Sequence, residues 1–325
     1  MKKYIALALA LLLLVSFTAC SQENPGEDNP QKDSGENGSQ TEQTTAPTEP
    51  TPPPITWMTF PADRVLTAQQ YFVFDCETGE FLTISGAEND RIYPASITKL
   101  FTAYVANQYL QPDQKITVDK AMDYVYPGSS VAELKKGDVV TTRQLIEGML
   151  LPSGNDAAYV LAIAADCDYG DLAPAEAFVA EMNAQAALLG MTGSHFANPD
   201  GIHEDDHYMT FHDLALLGML ALEDPILMQY AATATDAVTI SGEVKEWKNT
   251  NALIHEESEY YCPYAIGLKT GQTPSAGSCL LSAFEYDGNT YVIGVFGCPE
   301  VEDRFADTLQ LFNRTIQPAE QGKPE

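Results

Sequence analysis

Basic residues are scarce in this chain of 325 residues. It has 17 lysines and arginines against 46 aspartates and glutamates, which gives a formal net charge of −29 at pH 7. Proteins that bind nucleic acids through phosphates need clustered Lys and Arg to neutralise them. The composition therefore argues against a nucleic-acid partner. The hydrophobic content of 45% is ordinary for a protein that buries a core.

The cysteines form neither a disulfide framework nor a zinc motif. Five of them follow Cys20, at positions 76, 167, 262, 279 and 298. No pair has C-x-x-C spacing, and an odd number cannot pair completely. We therefore expect free thiols that pack as small apolar groups, and we expect neither a metal nor another cofactor.

The N-terminal apolar run is too short to span a bilayer comfortably. Lys2 and Lys3 precede 14 residues from Tyr4 to Phe17, whereas a spanning helix needs about 20. The ending SFTAC resembles a bacterial lipobox, which implies a signal peptide over residues 1–19 and lipidation of Cys20. Two acyl chains there would hold the protein on the extracytoplasmic side of the bacterial cell membrane. A plain cleaved signal peptide with an incidental Cys20 is the alternative.

The segment after Cys20 is predicted to be a tether. Residues 21–55 contain seven prolines, seven acidic residues and one lysine, and no aromatic residue. Such a composition cannot bury enough surface to offset the entropy of ordering the chain. We therefore divide the sequence into a tether (20–55), a globular domain (56–317) and a short tail (318–325).

Hairpin patterns at both ends of the globular part flank a helical middle. QYFVFDCETGEFLTIS turns at Glu77-Thr78-Gly79, and SCLLSAFEY and TYVIGVFG flank Asp287-Gly288-Asn289. Apolar periodicity predicts helices over residues 97–109, 143–150, 156–165, 175–189 and 211–222. We therefore predict one α+β domain in which the first and last strands share an antiparallel sheet.

The stretch YPASITKLFTAY places a serine and a lysine one helical turn apart. Apolar residues at 97, 100, 101, 104 and 105 trace one helical face, so Lys99 can reach Ser96 at the helix start. A serine hydroxyl is a nucleophile only when a base removes its proton, and a lysine is such a base only when its pKa is lowered. The S-x-x-K pattern also arises by chance, so an N-cap serine followed by a solvated lysine is the alternative.

Two further motifs follow along the chain. Ser153-Gly154-Asn155 interrupts two apolar runs before a helix, and Lys269-Thr270-Gly271 lies on or beside a strand. An ordinary helix cap is the alternative for the first motif, and an edge strand with a surface lysine is the alternative for the second. S-x-x-K, S-x-N and K-T-G occur in this order in penicillin-binding proteins and class A β-lactamases.

With these motifs, the sequence resembles the serine D-alanyl-D-alanine carboxypeptidases, the low-molecular-mass penicillin-binding proteins of peptidase family S11. The similarity covers residues 71–312 and includes VAELKKGDVVTTRQLIEGMLLPSGNDAA, MTGSHFANPDGIHEDDHYMTFHDLALL, NTNALI and RFADTLQLF. The resemblance implies a serine β-lactamase-like α+β fold. It also implies removal of the terminal D-alanine from peptidoglycan stem peptides through an acyl-enzyme, and inhibition by β-lactams.

The resemblance implies a role for each catalytic motif residue. Ser96 would attack the carbonyl between the two D-alanines, and Lys99 would take its proton. Ser153 would relay a proton to the leaving D-alanine, while Asn155 would orient Lys99 and hold the peptide. Lys269 would lie near Ser153, where its charge would help to keep Lys99 neutral.

The strand that carries Gly271 would hold the substrate, again by resemblance. Thr270 would bind the terminal carboxylate, with Arg304 of RFADT as its charged partner. The backbone N–H groups of Ser96 and Gln272 would form the oxyanion hole, in which one donor contributes about 10²–10³ in rate. A surface ion pair is the alternative for Arg304.

The segment HEDDH, residues 203–207, matches the letters of the H-E-x-x-H zinc-protease motif. That motif works on a helix, where both imidazoles share one face. The segment follows Pro199 and Gly201 and has no apolar helical stripe, so we predict a loop without a metal.

Two other functions remain open. A serine β-lactamase would use the same acylated serine, but the E-x-x-L-N loop of the class A enzymes is absent between Asn155 and Lys269. A catalytically silent wall-binding lipoprotein would not need all five polar motif residues. Many relatives continue into a β-rich domain and an amphipathic membrane helix, and an N-terminal lipid would replace that anchor here.

Overall fold

The computed structural model describes residues 64–317. The predicted signal peptide, the predicted lipidation site at Cys20, the predicted tether and the tail lie outside the described residues.

Within residues 64–317 the chain forms seven α-helices and eleven β-strands. The helices are α1 (Thr98–Tyr109), α2 (Thr142–Leu150), α3 (Asn155–Ala164), α4 (Pro174–Leu188), α5 (Phe211–Glu223), α6 (Pro225–Ala231) and α7 (Asp303–Thr315). The strands are β1 (Gln70–Asp75), β2 (Glu80–Ile84), β3 (Arg91–Ile92), β4 (Lys115–Thr117), β5 (Val139–Thr141), β6 (Met209–Thr210), β7 (Thr235–Ile240), β8 (Glu243–Lys248), β9 (Ala265–Thr273), β10 (Gly277–Tyr286) and β11 (Asn289–Cys298).

The main sheet has five strands in the order β2-β1-β11-β10-β9. β1 pairs antiparallel with β11, with Gln70 opposite Phe296. This pairing confirms the prediction that the first and last strands share one antiparallel sheet. β9, which carries the K-T-G motif, forms one edge of the sheet, so one side of its backbone is available to a ligand.

Helices cover both faces of this sheet. On one face, the Phe312 ring of α7 stacks on Phe284 of β10, with ring centroids 4.7 Å apart. On the other face, Gly218 of α5 lies so close to Val292 of β11 that an added methyl group would come within 2.9 Å of the valine side chain. The sheet is therefore buried on both sides, which explains the long apolar run in β10.

α1 crosses the helical part of the domain as a core helix. Eight of its twelve residues are buried, and Phe101 stacks on Phe196 with ring centroids 4.8 Å apart. A helix whose residues are mostly buried lies inside the protein. Lys99, in the first turn of α1, is therefore carried into the interior by its neighbours.

All five predicted helices are present, and their ends differ from the predicted ends by one residue at most. α6 and α7 were not predicted. α6 begins directly after Asp224, whose side chain caps it by accepting from the N–H groups of Ile226 and Leu227. α6 has only seven residues, fewer than the roughly 11–18 residues over which helical periodicity can be recognised in a sequence.

Within residues 64–317, no single helix has the length and apolar character of a membrane span. α5 and α6 would meet those criteria only as a pair, and they meet at a bend of 98°.

The five described cysteines are free thiols, as predicted. Four are buried, whereas Cys76 is half-buried in the turn between β1 and β2.

Candidate active site

Ser96 lies in a 3₁₀ turn, Ala95–Ile97, that leads directly into α1. Ala95 has φ 49°, in the left-handed region that residues with side chains rarely adopt. Ser153 (φ 64°) and Leu268 (φ 74°) share this conformation. Each of the three motifs thus contains or adjoins one such residue. Strain of this kind costs about 1–3 kcal/mol per residue and is concentrated at functional sites.

The Lys99 amine lies 2.8 Å from Ser96 Oγ. Its Nζ also donates to the main-chain carbonyl of Asp200 at 2.6 Å, and Lys99 is 0% exposed. The solvated-lysine alternative is therefore wrong. Burial lowers the pKa of Lys99 from 10.5 to about 8, although the charges of Asp200 and Asp156 act in the opposite direction. Once the amine is neutral, the Ser96 hydroxyl can donate to it across the same distance.

The NPDG segment, residues 198–201, forms the turn that supplies this carbonyl. Gly201 has φ 82°, and an added methyl group would collide with the carbonyl of Ala95. Asn198 closes the turn by accepting from the Gly201 N–H at 2.8 Å and donating to the Ile202 carbonyl at 2.8 Å. The turn is therefore built to lie against the nucleophile.

The S-G-N motif forms a tight corner before α3. Gly154 is the N-cap of α3, without a side-chain cap bond. An added methyl group at Gly154 would lie 2.6 Å from the carbonyl of Gly148, so only glycine fits. The helix-cap alternative for Ser153 and Asn155 is therefore wrong.

Asp156 holds this corner in place. It is 0% exposed, and its carboxylate accepts from the main-chain N–H groups of Ala132 and Leu134 at 2.7 and 3.0 Å. The Asn155 N–H donates to the Ser130 carbonyl at 2.8 Å. Sequence reasoning gave Asp156 no role, and the only signal for one was its position directly after the motif.

Ser153 and Asn155 are both buried, at 6% and 3% exposure. Within residues 64–317, no side-chain hydrogen bond joins either of them to Lys99. The orienting contact expected from Asn155 is made instead by the Asp200 carbonyl, because Nζ reaches that oxygen at 2.6 Å.

Gly271 of β9 lies directly against the nucleophile. An added methyl group at Gly271 would lie 2.6 Å from the Pro94 carbonyl and 3.2 Å from the Ser96 nitrogen. The glycine therefore allows β9 to bring its edge up to the turn that carries Ser96. Gln272, the next residue, is exposed and lies opposite Ser278 of β10.

Lys269 is 0% exposed, so the surface-lysine alternative is wrong. Its Nζ donates to the Thr270 carbonyl at 3.2 Å and lies 3.5 Å from Thr250 Oγ1, which in turn is 2.5 Å from Thr270 Oγ1. Burial and the charges of Lys99 and Arg304 lower the pKa of Lys269 well below 10.5. The main cause of the lowered Lys99 pKa is burial, whereas sequence reasoning assigned part of it to the charge of Lys269.

Arg304 reaches β9 from the first turn of α7. It is 6% exposed, and its Nη1 donates to the Gly271 carbonyl at 3.2 Å, so it is not the surface ion pair of the alternative interpretation. Its Nε is buried and has no partner, and burial lowers the pKa of Arg304. Leaving this buried donor without an acceptor costs free energy.

The model of the D-alanyl-D-alanine carboxypeptidase family, peptidase family S11, matches residues 58–299. The chain belongs to this family. The carboxypeptidase from Streptomyces sp. strain K15 is 34% identical over 270 residues, which cover 80% of this chain and 90% of that protein. The carboxypeptidase DacF from Bacillus subtilis is 28% identical, with 76% of this chain and 61% of DacF covered.

Solved structures of the same family have the same fold. The Streptomyces K15 DD-transpeptidase has a TM-score of 0.71 and 31% identity, and the match covers 81% of this chain and 99% of that one. A D-alanyl-D-alanine carboxypeptidase from Mycobacterium tuberculosis has a TM-score of 0.69 and 28% identity, with 82% and 97% covered. The protein is thus a serine-type D-alanyl-D-alanine carboxypeptidase and penicillin-binding protein with the β-lactamase-like fold.

In this carboxypeptidase, HEDDH is a loop, as predicted, and His207 is structural. Its Nδ1 accepts from the Ala197 N–H at 3.2 Å, and its Nε2 lies 2.8 Å from Thr98 Oγ1. Burial lowers the pKa of His207 to about 4, so the ring is neutral at pH 7. The described residues contain no group of three or more His, Cys, Asp or Glu that could hold a metal.

Proposed function

We propose that Ser96 is the residue acylated during removal of the terminal D-alanine from peptidoglycan stem peptides, with Lys99 as its base. The observation that carries this assignment is the buried Lys99 amine, 2.8 Å from Ser96 Oγ and with a pKa lowered to about 8. A base of this strength is neutral in a useful fraction of molecules near neutral pH.

In the first step, the Ser96 hydroxyl gives its proton to the neutral Lys99 amine, and Oγ bonds to the carbonyl carbon of the penultimate D-alanine. The backbone N–H groups of Ser96 and Gln272 receive the oxyanion. Support for this geometry comes from Gly271, which holds β9 against the Ser96 nitrogen. Such preorganised donors are effective because they need no rearrangement as charge develops.

In the second step, the bond to the terminal D-alanine breaks, and its nitrogen takes a proton relayed through Ser153. Thr270 and Arg304 hold the carboxylate of that D-alanine, and Asn155 holds the peptide before it. Water then hydrolyses the Ser96 ester. The position of Arg304, whose Nη1 donates to the Gly271 carbonyl of β9 at 3.2 Å, supports its role as carboxylate partner.

Labelled penicillin tests this assignment, with release of D-alanine from a peptide ending in D-Ala-D-Ala as the second readout. We expect a slowly released adduct on the native protein and D-alanine release from the peptide, both lost in Ser96→Ala. Rapid turnover of the penicillin would instead indicate a β-lactamase. Absence of both adduct and D-alanine release would indicate a silent binder.

We further propose that Cys20 carries the lipid that anchors the enzyme to the outer side of the cell membrane. The lipobox-like SFTAC ending supports this, as does the Pro-rich acidic segment at residues 21–55. Cys20→Ser should release the protein from membranes and abolish incorporation of labelled fatty acid. If Cys20→Ser stays on membranes and still incorporates labelled fatty acid, this part of the proposal is wrong.

A further inference from the structure

Thr250 lies between the two polar side chains of the K-T-G motif, Lys269 and Thr270. Its Oγ1 is 2.5 Å from Thr270 Oγ1 and 3.5 Å from Lys269 Nζ. Thr270 and Lys269 are buried, whereas Thr250 is half-buried. The three side chains therefore form a line of polar contacts beside the place assigned to the terminal carboxylate of the substrate.

Two buried asparagines fix the backbone on either side of Thr250. Asn249 is 3% exposed, and its Nδ2 donates to the Thr233 carbonyl at 3.0 Å. Asn251 is 0% exposed, and its Nδ2 donates to the carbonyl of Gly267 in β9 at 3.1 Å. The segment is thus bound to β9 by its neighbours, and the fold brings the Thr250 side chain to the motif.

The main-chain N–H of Thr250 makes a further contact, with the second motif. It donates to the Leu151 carbonyl at 3.2 Å, two residues before Ser153. Thr250 therefore connects the S-G-N corner with the K-T-G strand through its backbone, and it reaches Thr270 through its hydroxyl. A substitution that removes only the hydroxyl leaves the backbone connection in place.

The number of available protons determines the direction of the hydroxyl contacts. A carboxylate only accepts hydrogen bonds, and each threonine hydroxyl has a single O–H to donate. When the Thr270 O–H is given to the substrate carboxylate, the bond between the two hydroxyls must be donated by Thr250. The Thr250 oxygen can then accept from Lys269, because an ammonium group has donors only.

We propose that Thr250 is a positioning residue that makes Thr270 a donor towards the terminal carboxylate. In this hydrogen-bond relay Lys269 donates to Thr250, Thr250 donates to Thr270, and Thr270 donates to the carboxylate. Hydrogen bonds in a row polarise and strengthen one another. Thr250 thereby increases the preference for peptides with a free C-terminal acid without touching them. The proposal rests on the proposed function, in which Thr270 binds that acid.

Two tripeptides that end in D-Ala-D-Ala test the relay, one with a free C-terminal acid and one with a C-terminal amide. Thr250→Val keeps nearly the shape of threonine but lacks the hydroxyl. We expect it to raise KM for the acid by about three- to tenfold, the value of one hydrogen bond, with little change in kcat. The ratio of kcat/KM for the acid to kcat/KM for the amide should fall by the same factor. Thr250→Ser, which restores the hydroxyl, should return both quantities close to their native values.

A double-variant cycle shows whether Thr250 acts through Thr270. Thr250→Val/Thr270→Val should bind the acid no more weakly than Thr270→Val alone, because the last donor of the relay is already missing. Losses that add would mean that Thr250 acts on the substrate independently, which would overturn the relay. Thr235→Val is the matched control, since Thr235 is exposed on β7, and it should change neither KM nor the ratio.

The outcomes separate this proposal from the one on which it rests. Failure of the native protein to release D-alanine from the acid would overturn the carboxypeptidase assignment, and the relay with it. A native KM and ratio in Thr250→Val would overturn only the relay, as would equal losses for acid and amide or a lack of rescue in Thr250→Ser. If Thr250→Val does not fold, Thr250→Ala and Thr250→Ser replace it, because they differ from each other only by the hydroxyl. Equal KM values for these two would then contradict the relay.

Discussion

The amine of Lys99, shielded from water, lies 2.8 Å from the hydroxyl oxygen of Ser96. Burial lowers the proton affinity of the amine. Its lone pair can then accept the proton of the Ser96 hydroxyl across this short distance. The apolar surroundings of α1 therefore determine both the pKa of the base, Lys99, and the reactivity of the nucleophile, Ser96.

The first prediction concerns pH. Because the neutral form of Lys99 is the base, kcat/KM and the rate constant of penicillin acylation should rise about tenfold per pH unit below pH 8. Both should level off above the Lys99 pKa of about 8. Lys99→Arg, which stays protonated, should lower acylation by about 10³-fold. A flat profile between pH 6 and pH 9 would contradict the role of Lys99.

The second prediction concerns Asp200. Its negative charge raises the pKa of Lys99, against the larger effect of burial. Asp200→Asn should therefore move the rising limb of the acylation profile to lower pH. The profile is best measured with labelled penicillin, because its adduct reports the acylation step directly. Asp205→Asn, in the same loop, is the control and should leave the limb in place; an unmoved limb in Asp200→Asn would refute the electrostatic coupling.

The third prediction concerns Arg304. If its guanidinium holds the carboxylate of the terminal D-alanine, Arg304→Ala should raise KM by about 10- to 100-fold, the value of a charge-assisted hydrogen bond. A peptide amide in place of the terminal acid provides the control. The variant should lower kcat/KM much less for the amide than for the acid, and equal losses for the two would point to a structural role.

The fourth prediction distinguishes the role of side chains on β9 from the role of its backbone N–H groups. Gly271→Ala should abolish acylation, because the added methyl group would lie 2.6 Å from the Pro94 carbonyl and push the strand away from Ser96. Gln272→Ala should retain most of the activity, since only its backbone N–H is assigned to the oxyanion hole. Circular dichroism would verify that both variants fold. A large loss in Gln272→Ala would show that the side chain matters.

The fifth prediction concerns stability. Glu147 of α2 is 4% exposed, and burial, together with its hydrogen bond to Asp236 of β7, raises its pKa from 4.5 to about 8. The folded state therefore binds the proton of the Glu147 carboxyl more tightly than the unfolded chain does. The contribution of this proton to the free energy of unfolding is complete below pH 4.5 and is lost as the pH rises to about 8. Glu147→Gln should stabilise the protein above pH 8 by about 1–3 kcal/mol, because an amide carries no buried charge.

Denaturant unfolding at several pH values tests this. The difference between Glu147→Gln and the native protein should grow between pH 5 and pH 8. Glu246→Gln, on the exposed side of β8, is the control and should show no such trend. A difference that does not vary with pH would rule out titration of Glu147 as the cause.

Much of the fold was predictable because its signals are local. Periodicity over residues 97–109 and 211–222 predicts helices that the structure contains, and turn residues such as Asp287-Gly288 predict the hairpin between β10 and β11. The sequence does not predict α7 as a helix, although RFADTLQLF carries part of the family resemblance. Its polar residues Arg304, Asp307 and Gln310 are buried against the sheet. They interrupt the apolar periodicity by which a helix is recognised in a sequence.

The site was predictable as a set of residues but not as a set of contacts. The order of the motifs selects Ser96, Lys99 and Lys269. Nothing local in the sequence indicates that Lys99 is oriented by the Asp200 carbonyl, because a main-chain acceptor has no residue signature. The partner of Thr270, Thr250, belongs to the NTNALI segment, which carried a resemblance but no deducible role. Contacts of this kind depend on how distant loops meet in three dimensions.

The sheet order β2-β1-β11-β10-β9 has a consequence for the newly made chain. Ser96 leaves the ribosome long before β9, and β1 cannot complete its pairing until β11 follows. In the nascent chain Lys99 is therefore hydrated and keeps the ordinary lysine pKa of 10.5, so Ser96 stays unreactive. Pairing between strands that are far apart in the sequence delays folding. Here it also keeps Ser96 unreactive until synthesis of the domain is complete.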